Sequence, residues 1–303
     1  MNKFTKFCLI TASICVLLGL VLFTVGSCFG GFSQAANMAE NGELSIGPDS
    51  EWGIHIADFN SDLVFDNTFE TFSGDYTNQQ IATIDQVNGL DVELGGGQLV
   101  IRTSDTDFFQ VKSENTGKFQ CYVNDGTLYL KGLKNNITFG TNRNIIYLYV
   151  PAGTTFDNAD IDLGGGTIEA DTINVSSLKV KLGAGSFTAD TIAADSVNIE
   201  VGAGSVEVDN GNTTDATFDV GMGEIIWNGS IKNNLDAQCS MGSLELTLDG
   251  NEQDHDYDIE CSMGDVTVGN NSYEGMATDR KIDNGSDSIY TIDCSMGSVQ
   301  ITF

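Results

Sequence analysis

Leu163-Gly-Gly-Gly-Thr-Ile-Glu-Ala170 returns nineteen residues later as Leu182-Gly-Ala-Gly-Ser-Phe-Thr-Ala189, and again as Val201-Gly-Ala-Gly-Ser-Val-Glu-Val208. The first glycine of each copy stands at Gly164, Gly183, Gly202 and Gly221, and serine takes the place at Ser240. Longer intervals then lead to Ser262 and Ser295. A fixed period over successive copies marks a repeat architecture, in which a unit buries its apolar face only by stacking on its neighbours.

The columns of the repeat say how each copy folds. The second residue after the x-Gly-x-Gly signature is Ile168, Phe187, Val206, Ile225, Leu244, Val266 or Val299, and the residue two further on is Ala170, Ala189, Val208, Trp227, Leu246, Val268 or Ile301. Polar residues lie between them. This period of two is that of a strand with one face buried. The residue before each signature is apolar as well: Leu163, Leu182, Val201, Val220, Cys239, Cys261 and Cys294. Parity slips by one across the signature, so the chain must bend there. The invariant glycine at its third position, Gly166, Gly185, Gly204, Gly223, Gly242, Gly264 and Gly297, is expected to supply the bend through backbone angles closed to other residues. A second corner is expected at Asp171, Asp190 and Asp209. The fold expected is all-β, a parallel β-solenoid of 19-residue rungs that are regular from 164 onward.

Upstream, strand alternation starts near Leu90, and Asn124-Asp125-Gly126 reads as a hairpin turn. The polar stretch 30–85 reads as spacer and lead-in, and 86–303 as the repeat domain. The first residues differ from all the rest. From Phe7 to Phe29 there is no charged residue, and Lys3 and Lys6 precede the run within a short segment, 1–6. Such a run is long enough for one transmembrane helix, with the N-terminus cytoplasmic and the remainder outside. A cleaved signal peptide and a lipoprotein box, Val25-Gly-Ser-Cys28, are the rivals. Length favours the uncleaved anchor.

The chain carries 43 acidic and 13 basic residues among its 303, for a net charge of -30. A surface of that sign repels phosphate backbones, which excludes nucleic acid as the expected partner. Catalysis finds no pattern either. The two histidines, His55 and His255, stand in no nucleophile or metal-ligand spacing, and Gly164-Gly-Gly166 lacks the Lys-Ser/Thr of a phosphate loop.

Three Cys-Ser-Met-Gly copies place Cys239, Cys261 and Cys294 in an inward column that Leu or Val fills elsewhere. They read as a sulfur ladder in the core rather than a metal site, and the methionines as filling for the corner. Acidic columns, Asp171 with Asp190 and Asp209, and Glu169 with Glu207 and Glu245, read as a solvated face, because no calcium-loop motif accompanies them. No metal or cofactor is implied. The insertion from Gly269 to Asp287 stretches the last interval and carries Tyr273, Met276, Arg280 and Lys281. It is expected to cap the edge left where the chain stops, with contact to a partner as its second role.

The run Leu163-Gly-Gly-Gly-Thr, Leu182-Gly-Ala-Gly-Ser, Val201-Gly-Ala-Gly-Ser, Val220-Gly-Met-Gly-Glu, with Tyr257-Asp-Ile-Glu-Cys-Ser-Met-Gly and the closing Ile292-Asp-Cys-Ser-Met-Gly-Ser-Val-Gln-Ile, resembles the DUF4097 family of β-strand repeat proteins of Gram-positive bacteria. The likeness covers about residues 85–303. It implies an envelope or surface location and a solenoid-like fold, and it carries over no established activity and no catalytic residue. The function expected is therefore a non-enzymatic, membrane-anchored surface module that binds another macromolecule, protein or glycan. The alternative is an accessory sensor of a membrane signalling system.

Overall fold

The computed structural model describes residues 44–47, 53–56, 65–132, 145–274 and 278–303. The expected membrane span, Phe7 to Phe29, lies outside them, and among the described residues no helix is long and apolar enough to cross a membrane. A short antiparallel pair, Leu44–Gly47 with Gly53–Ile56, belongs to a first unit that ends at Ala57. Everything else described belongs to a second unit, Asp58–Phe303.

That second unit is all-β, and the pairings of its strands close on themselves as a barrel. Its walls follow from the repeat. Thr167–Leu182 lies parallel to Ser186–Val201 with Ile168 opposite Phe187 and Leu182 opposite Val201, so the register is the sequence period itself. The same offset joins Ser186–Val201 to Ser205–Thr213 and Asp215–Val220, and carries on to Leu235–Cys239 and Ser243–Leu248. Each turn of chain thus lays one strand on either of two walls, with a corner at the signature between them. Neighbouring turns satisfy one another's backbone groups, as strands about 4.8 Å apart do.

The inward columns fill the space between the walls. Ile168, Phe187, Val206, Ile225 and Leu244 are wholly buried, as are Val208 and Trp227 two residues further along the same strands. Burying a side chain of this size is worth about 1.5–3 kcal/mol. Stability therefore accumulates turn by turn along the core.

At both ends the chain leaves its sequence order. After Ser243–Leu248 it skips a place, runs outward as Asp256–Cys261 and Asp265–Val268, and returns as Ile289–Cys294 and Ser298–Thr302 to fill the gap. The spatial order of the cysteines is consequently Cys239, Cys294, Cys261, not their order in the chain. Expecting neighbours in sequence to be neighbours in space was wrong here, because parallel pairing needs only matching faces and the two Cys-Ser-Met-Gly turns present the same one. The N-terminal end shows the same device. Gly89–Leu94 is sandwiched between Thr127–Gly132, which comes later in the chain, and Phe156–Leu163.

Antiparallel strands close both ends. Phe108–Asn124 pairs with Thr127–Gly132 on one wall and with Ile145–Pro151 on the other. The first of these pairs turns through Asp125 and Gly126, both at positive φ, as an Asn-Asp-Gly hairpin requires. Outside it lies Phe72–Thr83, interrupted by register shifts. This strand falls within the stretch expected to be spacer. Only Phe72 and Ala82 along it are buried, so its alternation is too thin to read as a strand.

Candidate functional site

The corner glycines owe their place to close approach rather than, in most turns, to backbone angle. Gly166 alone among the seven third-position glycines has positive φ, +97°. At Gly204, Gly223 and Gly242 a methyl group would come 2.2 to 2.3 Å from the carbonyl oxygen of the turn beneath. The first-position residues Gly164, Gly183, Gly202 and Gly221 carry milder versions of the same contact, 2.6 to 3.1 Å. Backbones pack so closely at the corner that a side chain on the stack axis has nowhere to go.

Two residues before each corner, Cys239, Cys294 and Cys261 are buried free thiols. The Cys239 thiol faces the Ser298 carbonyl at 3.7 Å, and that of Cys294 faces the Asp265 carbonyl at 3.9 Å. Burial pushes the Cys294 thiol up to about 12, and raises Cys239 too. Buried and inaccessible, all three have the character of core residues. Their companion methionines do not fill the corner. Met222, Met241, Met263 and Met296 are 54 to 65% exposed. The corner is already closed by backbone, and any side chain there is turned outward.

The insertion is drawn onto the outermost turn. Asn271–Glu274 pairs antiparallel with Asp265–Val268, and Thr278–Ile282 with Asp256–Cys261. It thus covers the edge of that turn, and not the turn that ends at Phe303. Tyr273 packs partly against the core, opposite Val266. Lys281 holds Asp258 at 2.6 Å, and Arg280 is exposed on the same strand. Met276 lies outside the described residues.

The register keeps Asp171, Asp190 and Asp209 on successive turns but dilutes the glutamate column. Glu169, Glu207 and Glu245 alternate with Thr188 and Ile226, so no two of them sit on adjacent turns. Arg102 reaches Asp171 at 2.5 Å and Glu169 at 3.5 Å. The densest carboxylates are elsewhere, on the outer face of the first wall, where Asp91 and Glu93 lie opposite Asp160 and Asp162. Burial pushes Asp91 up to about 6 against the pull of Lys131, with the three neighbouring carboxylates adding to the rise. Among the described residues no three His, Cys, Asp or Glu side chains are grouped to hold a metal ion.

His255 and Ser288 come together, which the sequence did not show. Their side chains are 2.6 Å apart and buried, and the serine hydroxyl donates to the Asn233 carbonyl. Its proton engaged, that oxygen accepts from His255 Nδ1, whose ring stacks on Tyr290 at 4.1 Å. Desolvation lowers the histidine pKa and keeps the ring neutral. This chain of bonds ties the returning turn to its neighbours and leaves no nucleophile free.

Outward aromatic residues were also missed. In Ile145–Pro151 the residues Ile146, Leu148 and Val150 point inward, which turns Tyr147 and Tyr149 out. Their rings are 6.4 Å apart and within 16° of parallel. Lys112 lies 4.8 Å above the first, and Arg102 is opposite the second. The alternation Ile-Tyr-Leu-Tyr-Val was the available signal. On the other wall Phe69 stacks on Tyr122 at 3.8 Å, and Tyr122 on Tyr129.

The family described as Toastrack DUF4097 matches residues 87–301. The chain belongs to the DUF4097 family. No curated protein matches it. Solved structures similar to this DUF4097 chain include a candidate adhesin from Bacteroides fragilis, at 13% identity and a TM-score of 0.38, covering 77% of this chain and 97% of that one. A candidate cell adhesion protein from Clostridium sporogenes has 15% identity and a TM-score of 0.32 over 75% and 99%. A candidate lipid-binding protein from Parabacteroides distasonis has 16% and 0.36 over 77% and 96%. The family match names no catalytic function.

Proposed function

We propose that this DUF4097 chain is a non-enzymatic binding module of the bacterial cell surface, held by an anchor at residues 7–29, whose parallel turns form a β-solenoid that presents its outer face to glycans. The in-register 19-residue ladders support the solenoid reading. The charge-free run after Lys3 and Lys6 supports the anchor.

One observation carries the binding role. Tyr147 and Tyr149 lie side by side with nearly parallel rings on the outer face of a chain whose surface is otherwise acidic. Flat aromatic faces attract the C–H faces of sugar rings, and beside them stand Lys112, paired with Glu114, and Arg102, paired with Asp171 and Glu169, whose carboxylates accept from sugar hydroxyls. Both tyrosines alternate with core residues on one rigid strand, so the platform costs little ordering on binding.

The test is a glycan array probed with the full chain, alongside the Tyr147→Ala/Tyr149→Ala variant. Binding by the native chain that falls at least about tenfold in the variant, with unchanged circular dichroism, is the expected result, since stacking contacts are worth about 1 kcal/mol or more each. Absence of glycan binding, or binding indifferent to both rings, overturns it.

A further inference from the structure

The four methionines among the described residues, all exposed, form one row. Met241 donates its amide to the Gly221 carbonyl, Met296 to that of Ser240, and Met263 to that of Ser295, at 2.7 to 2.8 Å. Each of these acceptors immediately precedes the methionine of the adjoining turn. The spatial order is therefore Met222, Met241, Met296, Met263, one thioether per turn, with no gap. The row exists only because the last turn folds back between its predecessors. In the chain the spacing between these methionines is irregular.

Packing does not account for them. The same corner position holds Gly165, Ala184 and Ala203 in the earlier turns, where Ala184 and Ala203 line one shallow groove with Met222 and Met241. A corner that closes over glycine and alanine needs no bulk. Each methionine exposes more than half its surface. Long apolar side chains in water gain nothing from burial, and exposed methionine is open to oxidation. What four thioethers in a row do offer is soft sulfur.

The spacing suits a particular use of it. Adjoining turns stand about 4.8 Å apart. A metal to sulfur bond is about 2.3 Å, as in zinc thiolates, so a cation between two stacked sulfurs spans about 4.6 Å. Thioethers are neutral, weakly basic donors that select Cu(I) and its like over zinc, calcium or magnesium. The flexible side chain lets each sulfur find its place. The chain's charge of -30 gathers cations at its surface, and the sulfurs choose among them.

We infer that the Met222, Met241, Met296 and Met263 corner is a binding site for a soft monovalent metal ion, Cu(I) or its redox-inert counterpart Ag(I), held between thioethers of adjoining turns. The central pair, Met241 and Met296, has a neighbour on either side and is the preferred seat. Binding is coordination alone, with no electron transferred and no proton released from sulfur. The buried cysteines behind the corner take no part. Cys239, Cys294 and Cys261 are buried, and the thiols of the first two face backbone carbonyls and lie beneath Gly297 and Gly264.

The experiment uses the full chain with ¹³C-labelled methionine methyl groups, titrated with Ag(I) and, under ascorbate, with Cu(I). The expected result is a saturable shift of the Met222, Met241, Met263 and Met296 methyl signals, and no shift with Zn(II). Affinity should fall by about tenfold or more in Met241→Leu/Met296→Leu, as loss of a ligand does at other metal sites, while the fold is kept by a side chain of the same size. Unmoved methyl signals overturn the site. So does silver binding that the leucine variant retains, or that disappears instead when Cys239 and Cys294 are replaced by valine. The readout is independent of glycan binding, so either role can fail alone.

Discussion

A methyl group placed on Gly264 would sit 2.5 Å from the Cys294 sulfur and equally close to the Gly297 carbonyl oxygen. The two residues are thirty positions apart in the chain and share one van der Waals slot, because the last turn has been laid against the one before it. The corner glycine of one turn is thus fixed by the core residue and the backbone of the next.

Gly242→Ala should destabilise the barrel by about 1–3 kcal/mol, the usual range for overpacking. Its methyl would meet the Gly223 carbonyl oxygen at 2.2 Å, and backbone held on both sides by hydrogen bonds cannot step away. Gly117→Ala is the control, with nothing within 4 Å. Urea unfolding of the two variants should separate them clearly, and equal midpoints would show that the corner is softer than its contacts imply.

Gly211 and Trp227 should be coupled. A methyl on Gly211 would fall 2.2 Å from the indole, and the indole Nε1 is buried without a partner. Gly211→Ala alone is expected to cost about 1–3 kcal/mol and Trp227→Leu about 2–4 kcal/mol. The double variant should cost less than their sum by about 1 kcal/mol or more, since each change vacates what the other needs. Strict additivity in a double-mutant cycle would mean that the two do not share the space.

The middle of this fold was legible because its information is local. Between Gly164 and Ser240 the period, the inward columns and the spatial register are one number, nineteen, save for a one-residue slip at Gly211 to Thr213. The ends were not legible, since Cys239 pairs with Cys294 across an excursion that periodicity cannot encode. Tyr147 and Tyr149 hid inside a run read only as a strand. The methionines were misread for a related reason. Sequence showed that they share a column, whereas whether a corner column faces in or out depends on how tightly the glycine backbones beneath it pack. His255 and Ser288 meet only because the returning turn brings them together.

Acid should loosen the C-terminal turns first. His255 is held neutral in the folded chain, its pKa lowered from 6.5 by desolvation, so in the window below 6.5 the unfolded chain binds the proton more readily. Stability contributed here is present above that window and falls as pH drops into it. Asp91, raised to about 6 by burial, acts in the opposite sense, gaining its proton more readily in the folded state as pH falls toward 3.8. Protection factors, which allow for the intrinsic slowing of amide exchange in acid, should therefore fall around Asp256–Cys261 and Ile289–Cys294 between pH 7 and 5, and less so around Gly89–Leu94. In Ser288→Ala, where His255 loses its acceptor, the same strands should be weaker at every pH, by about 1–3 kcal/mol. A uniform fall in protection along the barrel would show that the histidine is not its weak point in acid.

The two kinds of sulfur should react in opposite ways. Cys121 and Cys294 are buried with thiols pushed up to about 12, so almost no thiolate is present at neutral pH and none is accessible. Met222, Met241, Met263 and Met296 need no deprotonation to react, and all are exposed. Dilute peroxide should convert these four methionines to sulfoxides while iodoacetamide leaves Cys121, Cys239, Cys261 and Cys294 unlabelled until urea unfolds the chain. Peptide mass spectrometry distinguishes the products. Because the oxidised groups already face water, the melting temperature should move by less than about 2 °C, the size of effect expected from surface changes of under 0.5 kcal/mol or so. Cysteine labelling ahead of methionine oxidation, or a large loss of stability on oxidation, would place the thioethers inside the corner and the thiols at the surface, the reverse of the register that stacks Cys239 on Cys294 and Met241 on Met296.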